Sequence, residues 1–382
     1  MYKHYYCFYE YIYGIIMIGC ENMKVVISAG GTGGHIYPAL AIINKIKEIE
    51  PDSEFLYIGT HNRMEKDIVP TYDVPFKAIE IYGFNRKNML KNIKTLKCLI
   101  GSYKKCEKMI KKFNPDVVLG FGGYVTFPVI KTAKKLGYKT FIHEQNSVPG
   151  KANSYLEKYA DLIGVSFKSS SKFFPTYKTV FTGNPCSEEA LKVLPASKRE
   201  FHLDEKNKLV LIVMGSLGSA KINDFLKKSV NLFKDKDYDV LFVTGKNNYE
   251  EIANIKIPKN VHIVPYVDKL TRVMKKCDLI VTRGGASTLS EIMALKLPSI
   301  IIPSPYVPNN HQYKNALDLA NVNASVILEE ENLKGDILVR TIDELINNPD
   351  KLEEMSNNLE GLGLNNSATI IYENIKELID RK

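Results

Sequence analysis

Residues 278–303 read DLIVTRGGASTLSEIMALKLPSIIIP, and the order of patterns inside them decides the fold. Leu279 to Val281 is an apolar run short enough for a buried strand. Arg283-Gly284-Gly285 breaks it, and Ala286 to Leu297 then reads as helix, with Leu289, Ile292, Met293 and Leu297 at helical spacing. Another apolar strand, Ser299 to Ile302, follows at once. Strand, glycine turn, helix and strand make the repeating unit of a parallel sheet. Such a unit aims the unpaired N–H groups of its first helical turn, and the positive end of the helix dipole, at whatever sits above the sheet. The small residues Gly284, Gly285, Ala286 and Ser287 allow an anion to come close, and Glu291, about a turn further in, is placed to accept hydrogen bonds from a hydroxyl. A packed crossover whose glycines only turn the chain fits this local pattern equally well.

The same alternation runs outward in both directions. Val25 to Ser28 is a strand that ends in Ala29-Gly30-Gly31-Thr32-Gly33-Gly34-His35, with a helix expected from about Pro38. This loop lacks the G-x-G-x-x-G spacing of dinucleotide folds and the lysine of a P-loop, so it suits a phosphate or a closely approaching sugar. Phe55 to Gly59 is the next strand, Asn88 to Phe113 a long helix, and Val117 to Gly120 a strand ending in Gly120-Phe121-Gly122-Gly123-Tyr124. Lys139 to His143 then delivers His143-Glu144-Gln145-Asn146 to the same sheet edge, where open α/β sheets collect their ligands. Asp161 to Val165 and Val180 to Thr182 close this half. A second half restarts with a strand at Leu209 to Met214 and a third glycine loop, Gly215-Ser216-Leu217-Gly218-Ser219. Strands at Val240 to Thr244 and His262 to Pro265 follow, then the 278–303 unit, then His311-Gln312-Tyr313-Lys314-Asn315-Ala316 and amphipathic helices at Leu338 to Ile346 and Ala368 to Ile379.

The fold class is therefore α/β: two Rossmann-like, doubly wound parallel-sheet domains facing across a cleft. A length of 382 residues with 45% hydrophobic and 25% charged residues agrees with two globular cores. The expected divisions are 23–186 for the first domain, 187–207 for a charged linker, 208–365 for the second domain, and 366–382 for a final helix that packs back on the first. Residues 1–22, rich in tyrosine, are too short an apolar segment to span a bilayer and lack the basic start of a signal peptide. They are expected to be a start-site extension ahead of Met23, with a peripheral anchor as the alternative. The six cysteines form no C-x-x-C pair, which argues for reduced thiols and against a zinc site.

The net charge of +9 calls for an anionic partner. Much of it is concentrated in Arg86, Lys87, Lys91, Lys94, Lys97, Lys104, Lys105, Lys108, Lys111 and Lys112, opposed by the single acid Glu107. Leu90, Ile93, Leu96, Ile100 and Tyr103 form an apolar stripe beside them. A basic amphipathic helix of this kind suits an anionic membrane surface, or is simply the solvated outer face of the domain. Nucleic acid is not expected, because no aromatic residues are interleaved for base stacking.

GGTGGH at 30–35, GFGGY at 120–124, HEQN at 143–146, GNP at 183–185, GSLGS at 215–219 and the 278–303 unit occur in one order over Met23 to about Ile379. In this the chain resembles the MurG family of peptidoglycan lipid II synthases, inverting glycosyltransferases of the GT-B fold. The resemblance implies that the first domain takes undecaprenyl-linked lipid I and the second takes UDP-GlcNAc. It places Thr32, Gly33 and Gly34 at the donor's diphosphate or sugar, Asn146 near the GlcNAc, Ser216 at a phosphate, and the backbone of Val267 against uracil. It puts Ala286, Ser287, Thr288, Leu289 and Ser290 under the diphosphate, Glu291 on the ribose, and Gln312 and Asn315 on GlcNAc hydroxyls. Gly122, Gly123 and Tyr124 would face the acceptor, with Arg86, Lys87, Lys91 and Lys94 toward the membrane at the cytoplasmic face. Two departures stand out: the family commonly has arginine where this chain has Ser187, and glutamine where it has Leu217.

Inverting transfer to the muramyl 4-hydroxyl needs a base and charge stabilisation for the departing UDP. His35 is the candidate base, since imidazole titrates near neutral pH. Glu144 either orients His143 or His35, or is itself the base. No D-x-D pair is placed to hold a metal beside the diphosphate, and no tightly bound cofactor is expected. The rival expectations are a GT-B diacylglycerol glycosyltransferase, a UDP-GlcNAc 2-epimerase, and a non-catalytic nucleotide-sugar-binding protein at a membrane surface.

Overall fold

The computed structural model describes residues 22–82, 91–215, 218–246, 249–253 and 255–381. Its first sheet holds β1 (Lys24–Ser28), β2 (Glu54–Thr60), β3 (Phe76–Ile79), β4 (Val117–Gly120), β5 (Lys139–Glu144), β6 (Leu162–Val165) and β7 (Thr179–Phe181). They lie in the order β3-β2-β1-β4-β5-β6-β7, all parallel. The second sheet holds β8 (Lys208–Val213), β9 (Tyr238–Val243), β10 (Val261–Val264), β11 (Leu279–Thr282), β12 (Ser299–Ile301) and β13 (Ser325–Ile327). Its order is β10-β9-β8-β11-β12-β13, again parallel. In each sheet the order reverses beside the first strand, between β1 and β4 and between β8 and β11. The four glycine turns follow those four strands, so each lobe opens its crevice at its own reversal point. Strands β3 and β13, absent from the sequence-based expectation, are short and sit at sheet edges.

Seven helices matter for the site: α1 (Gly33–Ile49), α2 (Lys91–Phe113), α3 (Thr126–Lys135), α4 (Cys186–Lys192), α5 (Ala286–Leu295), α6 (His311–Ala320) and α7 (Ser367–Asp380). Helix α1 starts at Gly33, ahead of the expected start near Pro38: extended Thr32 precedes it, and the Thr32 carbonyl accepts the first helical N–H groups, from His35 and Ile36, at 3.1 and 3.3 Å. Pro38 lies inside the helix, where its missing N–H leaves the Gly34 carbonyl without a helical donor. The expected start of α2 at Asn88 lies outside the described residues.

Parallel strands bury both faces, and the side-chain alternation shows it. Ile27, Tyr57 and Phe141 point one way, against Ile36, Ile43 and Ile46 of α1 and Ala368, Ile371, Ile375 and Leu378 of α7. Val26, Ile58, Val118 and Ile142 point the other way, against Cys106 and Ile110 of α2 and Val129 and Ile130 of α3. The C-terminal helix thus belongs to the core of the first lobe. Each fully buried isoleucine there contributes about 1.5–3 kcal/mol, enough for apolar packing to hold α7 in place.

The stretch 187–207, charged enough to suggest a linker, contains most of α4. Its charges face inward as much as outward: Glu188 pairs with Lys45 of α1 at 2.9 Å and accepts the Thr369 N–H of α7 at 2.9 Å. Helix α4 therefore stitches the two ends of the first lobe together beneath the second. On α2, Cys106 and Ile110 are buried, whereas Ile100 is 53% exposed and stands between the exposed Lys97 and Lys104. No described helix is long and apolar enough to cross a membrane.

Candidate active site

One cleft of about 1240 Å³ runs between the lobes. Its first wall is the turn after β1. Gly31 adopts φ +94°, and the Gly30 N–H donates to the Gly122 carbonyl at 3.2 Å, lacing the first two glycine loops together. Gly123, at φ +88°, comes so close that a Cβ there would lie 2.4 Å from the Gly30 oxygen. His35, in the first turn of α1, places Nδ1 at 3.0 Å from the same oxygen. A carbonyl only accepts, so Nδ1 carries a proton, and in the neutral ring the lone pair is then on Nε2. The ring edge holding Nε2 packs on Gly122, where a Cβ would come within 3.0 Å of it.

Glu144, at the end of β5, has a different position from the one expected. Its carboxylate bonds to neither the His143 nor the His35 ring, whose nitrogens meet the Gly183 and Gly30 carbonyls. Its Oε1 accepts Asn146 N–H and Nδ2–H at 2.9 and 3.1 Å, and its Oε2 accepts Gly150 N–H and Asn153 Nδ2–H at 3.0 and 2.9 Å. Four donors occupy the carboxylate, which therefore shapes the 144–150 loop. His143 is fully buried, with Nε2 donating to the Gly183 carbonyl at 2.9 Å. Burial lowers its pKa to about 4, so it is a neutral structural imidazole.

The opposite wall is the 278–303 unit. Gly285, extended and without a side-chain cap, precedes α5. Ala286, Ser287 and Thr288 line the cleft, and Leu289 is the first residue whose N–H turns back into the helix, to the Gly285 carbonyl at 2.9 Å. Leu289 and Ser290 do not join them. Leu289 is buried in the core of the second lobe and Ser290 bonds the Ala286 carbonyl at 2.8 Å, so helical rotation turns both away from the cleft. Glu291 lies half-buried on the cleft wall, where desolvation raises its pKa to about 8. Val267 and Gln312 also line the cleft, with Gln312 Oε1 held by the Ser304 N–H at 2.8 Å.

Asn315 departs furthest from expectation. It is fully buried, and its side chain joins the lobes instead of facing the cleft. Oδ1 accepts from Ser147 N–H at 2.8 Å and Ser147 Oγ–H at 2.9 Å, while Nδ2 donates to Asn146 Oδ1 at 3.1 Å and the Gly284 carbonyl at 3.0 Å. One turn on, Asp318 accepts from Ser169 Oγ at 2.6 Å, a second bond between lobes. Ser187 is also buried, bonding the Asn184 and Leu364 carbonyls and Ser367 Oγ, so position 187 ties the 183–187 turn to α7 in this chain. Ser216, Leu217, Arg86 and Lys87 lie outside the described residues, as do the side chains of Lys91 and Lys94.

Among the cleft residues that went unassigned in the sequence, two carry chemistry close to the glycine turns. Arg283 sits on the cleft floor with Nη2 donating to Glu330 at 2.6 Å and Ser219 Oγ at 2.8 Å, a guanidinium beside the third glycine loop. His311, in the first turn of α6, lines the same cleft as His35 and Glu144. Its Nδ1 donates to the Pro308 carbonyl at 2.8 Å, and burial holds its pKa below the usual imidazole value. The signal for Arg283 was its place directly before Gly284-Gly285, and for His311 its place directly before Gln312.

The chain matches the glycosyltransferase family 28 N-terminal domain over residues 25–165 and the family 28 C-terminal domain over 209–371. It is 44% identical over 361 residues to the UDP-N-acetylglucosamine--N-acetylmuramyl-(pentapeptide) pyrophosphoryl-undecaprenol N-acetylglucosamine transferase of Bacillus pumilus (strain SAFR-032), covering 93% of this chain and 99% of that one. The enzyme of the same name from Bacillus subtilis (strain 168) is 42% identical over 361 residues, with the same coverage. Among solved structures, Acinetobacter baumannii MurG superposes with a TM-score of 0.73 at 24% identity, covering 93% of this chain and 99% of that one. The UDP-GlcNAc 2-epimerase from Neisseria meningitidis, at TM-score 0.64 and 18% identity, covers 93% of this chain and 100% of that one and shares the fold alone. With two relatives above 40% identity along nearly their whole length and both family domains in place, the chain belongs to the MurG group of glycosyltransferase family 28.

Proposed function

We propose that the cleft moves GlcNAc from UDP-GlcNAc to the 4-hydroxyl of the muramyl sugar of lipid I, with inversion, giving lipid II. The observation that carries this reading is the meeting, in one crevice, of the His35 loop from the first lobe and the α5 start from the second. The two elements supply complementary chemistry. His35 Nε2, its Nδ1 proton held by Gly30, takes the proton of the attacking hydroxyl as the new bond forms. The N–H groups of Ala286, Ser287 and Thr288, with the helix dipole behind them, receive the diphosphate as charge develops on the leaving UDP. Arg283 adds a guanidinium on the same side. Glu291 accepts from the ribose, Val267 flanks the base, and Gln312 and Asn146 meet the GlcNAc.

The first lobe then faces the lipid. Gly122, Gly123 and Tyr124 sit on its side of the cleft, with Tyr124 59% exposed. Exposed Ile100 between Lys97 and Lys104 supports contact between α2 and an anionic membrane surface, peripheral and on the cytoplasmic face. The test is an acceptor panel read by UDP release. Release with lipid I, and none with diacylglycerol or without acceptor, is expected. Equal release without acceptor, or with diacylglycerol alone, would overturn the assignment.

A further inference from the structure

Glu65, on the short helix Glu65–Ile68, is fully buried. Its three bonds come from neutral donors: Oε1 accepts Thr60 N–H at 3.1 Å and Thr60 Oγ–H at 2.6 Å, and Oε2 accepts Gly31 N–H at 3.1 Å. A carboxylate taken out of water is expensive when no cation pairs with it, and none does among the described residues, so its location calls for a physical reason. That reason lies in the peptide unit between Gly30 and Gly31. The N–H of this unit donates to Glu65, and its carbonyl accepts the Nδ1 proton of His35 at 3.0 Å. The unit is walled on both sides. A Cβ on Gly30 would fall 2.6 Å from Glu65 Oε1, and one on Gly123 would fall 2.4 Å from the Gly30 oxygen. The Gly30 N–H is fixed in turn by the Gly122 carbonyl.

We propose that Glu65 is a positioning residue for His35, acting through the Gly30–Gly31 peptide group. Hydrogen bonds in series polarise one another, so a carboxylate on the N–H end makes the carbonyl at the other end a stronger acceptor. That carbonyl keeps a proton on Nδ1, so that the neutral ring has its lone pair on Nε2. A carboxylate bonded directly to Nδ1 does the same in a Ser-His-Asp triad; here one peptide group is interposed. The proposal rests on His35 being the base. It differs from a purely structural role for Glu65, which would disturb Thr32, Gly33 and Gly34 equally and so weaken donor binding.

The test uses the full chain. Glu65→Gln sets an NH₂ against either the Thr60 or the Gly31 N–H. Nitrogen-15 NMR of the histidine rings, with the His35 signals assigned by their loss in His35→Ala, reads the tautomer. Steady-state kinetics with lipid I separates kcat from KM for UDP-GlcNAc. The wild type should show His35 protonated on Nδ1, and Glu65→Gln should show mixed tautomers. The loss of an outer-shell partner should lower kcat about 10–100-fold, with KM within about twofold of wild type. An Nε2–H tautomer in the wild type, an unchanged tautomer in Glu65→Gln, or a KM rise that accounts for the loss would each overturn the proposal. Should Glu65→Gln fail to fold, Glu65→Asp keeps the charge but withdraws it from Gly31 by one methylene, and the same readouts decide. His35→Ala is expected to lower kcat by about 10²–10⁴-fold. Near-normal turnover in that variant would remove the base assignment, while the tautomer signal would still report whether Glu65 governs the ring.

Discussion

Asn315→Ala separates two roles that the sequence could not. If the side chain binds the donor sugar, its removal raises KM for UDP-GlcNAc and leaves the fold alone. In the structure it instead bridges Ser147 and Asn146 of the first lobe to Gly284 of the second. Truncation strands four groups. Ser147 Oγ can rotate, and half-buried Asn146 can find water. The Ser147 N–H and the Gly284 carbonyl cannot turn away, and each buried unpaired group costs about 1–3 kcal/mol. The expected loss to lobe docking is therefore about 2–4 kcal/mol, toward the lower half because the cleft admits water. At tenfold per 1.4 kcal/mol, the ratio of open to closed protein rises roughly thirtyfold to a thousandfold.

Small-angle scattering, and a distance probe on each lobe, would show this as a larger and broader separation in the absence of ligand. Thermal unfolding should begin lower and split, since two lobes that no longer dock need not melt together. Asn315→Asp should behave no better: it keeps an acceptor for Ser147 but turns a second oxygen toward the Gly284 and Asn146 oxygens. Unchanged lobe separation and melting, together with a raised KM, would refute the latch and return Asn315 to the donor.

Burial gives Glu291 a pKa of about 8, against 4.5 for an ordinary glutamate. Because the folded chain holds a proton the unfolded chain has released, the resulting stability is complete below about pH 4.5 and lost as pH rises through about 8. Unliganded protein should thus lose stability from pH 5 to 9 with a slope that Glu291→Gln removes, and an identical slope in the variant would contradict the shift. UDP binding below pH 8 should release protons if Glu291 accepts from the ribose as a carboxylate, measurable by calorimetry in buffers of different ionisation enthalpy. Glu291→Ala should weaken UDP binding, and equal affinity would count against the ribose contact. Replacing Lys91, Lys94 and Lys97 by glutamate should reduce co-sedimentation with anionic vesicles. Unaltered partitioning would make α2 no more than a solvated face.

What the sequence disclosed and what it withheld divide along a physical line. The glycine turns were legible because close backbone approach and positive φ leave little choice of residue: Gly123 under the Gly30 carbonyl and Gly31 at φ +94° tolerate no ordinary side chain. Central strands were legible because burial on both faces makes an unbroken apolar run. Edge strands β3 and β13 were not, since Phe76–Ile79 carries an exposed Lys77 and Ser325–Ile327 has only 3 residues. Leu289 was assigned to two places at once, an apolar helical stripe and a ligand-facing turn, and the 3.6-residue period settles it in favour of the core. Glu144 stood next to His143 in the chain, yet successive strand residues point to opposite faces, so adjacency argued against their contact. Glu65 was the least visible of all. It lies among Arg63, Lys66 and Asp67, a stretch that reads as solvated surface, and its partner Gly31 is 34 positions away. Groups that meet a ligand through the backbone must be small, and that requirement is written locally. Groups that hold those turns in place need only a polar atom at the right point in space, which any distant segment can provide. Sequence motifs should therefore identify the turns of such a site more readily than the residues that aim its base.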